Sequence, residues 1–132
     1  MNAIDKNRAL AHTFGQRYGQ PMSLGEAAVL RRAAMTLHRW AELECGDGND
    51  YASWGIERDD ETGKPFMARY PHTGSATKTR IPDREAGALK RVAALCAWCG
   101  WYFYHQTDPR GAALYVSTEP LTGSNYTQGV AV

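Results

Sequence analysis

Trp101-Tyr102-Phe103-Tyr104-His105-Gln106-Thr107, then Asp108-Pro109-Arg110-Gly111, then Ala112-Ala113-Leu114-Tyr115-Val116-Ser117-Thr118, is the stretch on which the fold class turns. Its first run is dense in aromatic side chains, which suit a pleated, half-buried surface. The next four residues form a tight turn, with proline at the second position and glycine at the fourth. The third run pairs back, so residues 101–118 predict a β-hairpin. Upstream, Gly100 ends a helix that begins at Asp83, where Asp83 after Pro82 supplies the N-cap and Glu85 lies in the first turn. Ala86, Leu89, Val92, Ala93, Cys96 and Cys99 share one face of this helix, and Arg84, Lys90 and Arg91 the other.

The same order occurs earlier in the chain. Ser23 and Glu26 fit a capping box, and Leu30, Ala33, Ala34, Leu37, Trp40 and Ala41 recur at helical spacing. Gly46-Asp47-Gly48-Asn49-Asp50 ends that helix with turn formers. Tyr51 to Arg58 reads as a strand and Phe66 to Tyr70 as its return, joined by Asp59-Asp60-Glu61-Thr62-Gly63-Lys64-Pro65, a loop wider than a two-residue hairpin turn. The helix–hairpin order thus repeats without repeated residue identity. It predicts an α+β two-layer sandwich, α-β-β-α-β-β with a short extra strand at Val130-Ala131-Val132. The sheet is mostly antiparallel, with both helices on one face. Residues 21–132 form a single domain in this reading. Residues 1–20 are a partly ordered N-terminal arm, in which Ile4, Ala9, Leu10 and Phe14 support a turn or two of helix.

Size and composition narrow the function classes. A chain of 132 residues with 43% hydrophobic and 22% charged residues can bury its own core. No stretch approaches the roughly 20 apolar residues that span a bilayer. Residues 1–20 lack the apolar segment of a secretory signal, which predicts a cytoplasmic protein without a membrane partner. A net charge of +1 disfavours a dedicated duplex-DNA binder. Three cysteines point to reduced thiols rather than a disulfide framework.

Few motifs carry chemistry. Cys96-Ala97-Trp98-Cys99 has dithiol spacing, but it sits at a helix C-terminus, where the dipole opposes a thiolate. Cys45 and His38 lack the second closely spaced ligand pair of a zinc site, and His12, His72 and His105 are scattered. No nucleophile elbow, phosphate loop or calcium loop is present, and no cofactor is predicted. Asp59, Asp60 and Glu61 read as an exposed acidic turn. Trp101, Phe103 and His105 alternate with Tyr102, Tyr104 and Gln106, so one set faces the helices and the other faces away. Left open, Tyr102 and Tyr104 would stack single-stranded bases, with Arg58, Arg69 and Arg110 as phosphate contacts. Closed, they would meet the core or a second copy in a homodimer. Arg110, at the tip of a rigid turn, is well presented to an anion or a partner carboxylate.

The segments Glu44 to Asn49, Ile56 to Phe66, Asp83 to Leu89 and His105 to Gly111 together resemble a family of small uncharacterised proteins encoded in phages, prophages and plasmids of Gram-negative bacteria. The resemblance spans roughly residues 24–132 and brings no catalytic residue with it. It implies a mobile-element accessory protein that acts by binding a host or phage protein. A single-stranded nucleic-acid binder and a small thiol or metal-dependent enzyme are the alternatives.

Overall fold

A computed structural model of the chain describes residues 2–40, 52–71, 82–108 and 111–122. Helices α1 (Ala3–Tyr18) and α2 (Leu24–Trp40) precede strands β1 (Ala52–Arg58) and β2 (Pro65–Pro71). Helix α3 (Pro82–Cys99) then leads into β3 (Tyr102–Asp108) and β4 (Gly111–Ser117). The four strands form one antiparallel sheet in the order β1-β2-β4-β3, and the helices cover one face of it. The fold is therefore α+β in two layers, as the repeated helix–hairpin order predicts. The repeat also acquires a meaning, since the two hairpins join through their returning strands, β2 and β4.

Register explains how the core is assembled. Ile56, Met67, Val116 and Phe103 line up across all four strands on the helix side. Leu30, Ala33, Ala34 and Leu37 of α2 and Leu89, Val92 and Cys96 of α3 close over that row, all buried. Opposite residues in antiparallel strands share a face, so this one row fixes the direction of every other side chain in the sheet.

Local signals behave largely as expected. The Ser23 hydroxyl accepts from Glu26 N at 3.1 Å, capping α2. Gly100, at φ 78°, ends α3 in a Schellman motif. In it, Trp101 N donates to Cys96 O at 2.8 Å and Gly100 N to Ala97 O at 3.2 Å. Helix α3 begins at Pro82, one residue before the expected cap. Proline suits the first helical position because the amide it lacks has no intrahelical partner there. The helix stop at 46–50, the turn residues Pro109 and Arg110, and the strand at 130–132 lie outside the described residues.

The main correction concerns the N-terminal segment, which forms a third helix of 16 residues rather than a turn or two. Asn2 caps it, its side-chain oxygen accepting from Asp5 N at 2.8 Å, and Gly19 closes it at φ 63°. Leu10, Phe14 and Tyr18 form its inward stripe, and Phe14 is fully buried. Arg31 of α2 donates to the Asn7 side chain at 2.7 Å, and Arg17 donates to Ile56 O of β1 at 2.8 Å. Truncating Phe14→Ala should cost about 3–5 kcal/mol in urea unfolding. A loss below about 1 kcal/mol would show that α1 is an appendage rather than part of the core.

Candidate functional site

Of the two alternating sets on β3, Phe103 faces the helices, and Tyr102 and Tyr104 point to the face of the sheet away from them. The chain after β4 turns back over this face, however. Leu121 packs on Phe66, Ala68, Tyr104 and Tyr115, and its amide donates to the Tyr104 hydroxyl at 3.0 Å. Tyr115 in turn donates to the Gln106 side chain at 3.1 Å. Tyr104 is 8% exposed and Tyr102 43%. Base stacking on both rings needs two open faces, and only Tyr102 offers one.

The returning segment is anchored at the β1–β2 turn. Asp60 and Glu61 are exposed there, as expected of an acidic turn, but Asp59 is fully buried. Its carboxylate accepts from Thr62 N at 3.2 Å, from the Thr62 hydroxyl, and from Thr122 N at 3.2 Å. Gly63, at φ 73°, lets the turn close, with Asp59 N donating to Lys64 O at 2.8 Å. Gln20 reaches Gly63 O at 2.9 Å, and Lys64 pairs with Glu119 at 2.9 Å. That hydrogen bond and the Glu119 charge raise the Lys64 pKa above its ordinary value. Asp59 is thus committed to structure.

Arg58 and Arg69 do not gather around the tyrosines. Arg58 is exposed at the end of β1, and a Cβ added at Gly63 would meet its guanidinium at 3.5 Å. β1 and β3 are opposite edges of the sheet, so Arg58 and Tyr102 lie apart. Arg69 is 5% exposed on the helix side of β2, between Trp54 and Leu114 in register. Arg110 lies outside the described residues, as do Cys45 and His72. Cys96 and Cys99 are free thiols, the first buried and the second exposed. Burial, with Cys99 beside it, pushes the Cys96 thiol up to about 12. Among the described residues no His, Cys, Asp and Glu side chains cluster for a metal ion.

A different surface stands out, on α3 and β3. Trp98 is 89% exposed on a well-formed helix. Beside it an open depression of about 360 Å³ is lined by Ala93, Ala97, Gly100, Trp101, Tyr102 and Phe103. The small side chains at 93, 97 and 100 leave this trough between helix and strand. Helical spacing sets Lys90, Ala94 and Ala97 along the flank nearest it, and Arg91 and Trp98 along the outer crest. Lys90 and Arg91 lie about two helical turns before Ala97 and Trp98. The sequence does carry a signal for this surface. Trp98 lies off the Leu89, Val92 and Cys96 stripe, and the same period that marks a core face marks an apolar residue set outside it. No family model, curated protein or solved structure matches the chain.

Asp59→Ala should lower stability by about 2–3 kcal/mol, because several donors lose one charged acceptor. Hydrogen exchange at the Leu121 and Thr122 amides should rise with it. Unchanged exchange and a loss under about 0.5 kcal/mol would contradict the anchoring role. For the thiols, iodoacetamide at neutral pH should label Cys99 and spare Cys96 until the protein unfolds. Cys96 binds its proton more tightly folded than unfolded, so its contribution is full below about pH 9 and drains as pH rises toward 12. The stability of Cys96→Ala should therefore fall less steeply over that alkaline range than that of the parent. Equal slopes would contradict the shift.

Proposed function

We propose that this protein acts by binding another protein through the α3–β3 surface, as an accessory protein of a mobile genetic element. One observation carries the binding assignment: Trp98, 89% exposed, standing beside an open apolar depression. An indole left in water on a rigid helix gains most by being covered. Tryptophan is also prominent among the residues that dominate binding energy at protein interfaces. The mobile-element setting, and with it a host or phage partner, is supported by the motif resemblance. The nucleic-acid alternative keeps only Tyr102 of its tyrosine pair. Within the Cys96–Cys99 pair, a thiol chemistry would have to begin from Cys99, because Cys96 is protonated near neutral pH.

Trp98→Ala provides the test. The side chain makes little contact with its own fold, so circular dichroism and thermal unfolding should stay close to the parent. Chemical cross-linking in host lysate, followed by mass spectrometry, should recover a partner with the parent protein. Affinity for that partner should fall about 30-fold or more in the variant, the effect of a dominant interface residue. An identical partner set at unchanged affinity would remove the α3–β3 surface as the site.

A further inference from the structure

We infer that the α3–β3 surface takes an extended acidic and apolar segment of its partner, added as a fifth strand along β3 with a side chain in the depression; this rests on the protein-binding function proposed above. β3 is an edge strand among the described residues, so one side of its backbone lies outside the ladder with β4. Natural edges are commonly blunted by proline, lysine, a bulge or an inward charge. Tyr102 to Asp108 has no proline, no lysine and an unbroken register with β4 from Tyr102↔Ser117 to Asp108↔Gly111. At the other edge, β1 contains Gly55 and ends in Glu57 and Arg58.

The depression is built for one side chain of such a strand. Residues of α3 form one wall and residues of β3 the other, so a strand laid along β3 would direct alternate side chains into it. Area favours a short segment over a second folded copy. Scaled by the ~150–250 Å² of an aromatic side chain, Trp98 and Tyr102 offer about 300 Å² of apolar cover. A standard interface between folded proteins takes about 800 Å² from each side. Charge sets the chemistry of the segment. Lys90 is exposed on the flank it shares with Ala97. Acidic residues beside the apolar anchor complement Lys90.

The experiment uses the intact protein and a random twelve-residue peptide display library. Enriched peptides should share apolar residues at alternate positions next to aspartate or glutamate. Their binding should slow exchange of the amides within residues 102–107 that point away from β4. It should weaken about tenfold in Ala97→Leu, which fills the trough, and severalfold in Lys90→Glu. Both sites are exposed, and thermal unfolding of each variant checks that the fold is kept. Absence of any enriched peptide, or binding that leaves β3 exchange unchanged, would overturn the proposal. Protection, in the free protein, of those β3 amides that point away from β4 would also overturn it. Protection that grows with protein concentration would show a second copy on the edge, and protection independent of concentration would show the chain covering itself. If cross-linked partners are lost in Trp98→Ala but kept at full affinity in Ala97→Leu, the binding function stands and strand addition fails.

Discussion

A carboxylate taken out of water must be met by donors, and in this protein Asp59 is met from two distant parts of the chain. Thr62 binds it from within the β1–β2 turn, and Thr122 binds it from beyond the end of β4. The interaction therefore does more than shape a turn. It draws the segment after β4 back across the open face of the sheet, where Leu121 covers Phe66, Tyr104 and Tyr115. An unmet buried charge is strongly destabilising, so turn and segment hold each other in place. Gln20, following α1, meets the same turn through Gly63, which ties the helical layer to it as well.

That closure divides the surface into spent and unspent regions. Tyr104, Tyr115 and Asp59 would be functional candidates by residue type, but their polar atoms are already engaged within the fold. Cys96 is packed into the main core as a small apolar side chain. Exposed apolar area survives at the junction of α3 and β3. There the Schellman turn at Gly100 reverses the chain so sharply that helix end and strand start flank one trough. Ile4, Leu24 and Met35 are also exposed on the first two helices, where scattered single apolar residues are ordinary.

The helix–hairpin repeat was legible because each of its signals is local. Ser23 caps α2 with its own neighbour Glu26, Gly100 terminates α3 with carbonyls of the last turn, and strand alternation assigns Phe103 and Tyr104 to opposite faces. Helix α1 was harder to read, since Gly15, Gln16 and Gly19 interrupt a pattern with only short apolar runs. Its inward stripe of Leu10, Phe14 and Tyr18 has helical spacing, and Asn2 and Gly19 are sound caps. What makes the helix persist is burial of Phe14 against α2 and the sheet, which residues 1–20 alone do not display. At the site, alternation put Tyr102 and Tyr104 on one face of the strand, opposite Phe103. It could not tell that one would be covered.

The sequence by itself determined the elements, their order, the antiparallel hairpins and the α+β class, because caps, turns and periodicity act over a few residues. Tertiary structure alone decided which groups remain free to act. Whether Asp59 is a solvated acid or a buried anchor depends on Thr122, 63 residues away. The openness of Tyr104 likewise depends on Leu121, and Arg69 is buried because a helix lies over β2. Burial and hydrogen-bond pairing between distant segments are set by packing, and packing left Trp98 and the trough beside β3 uncovered.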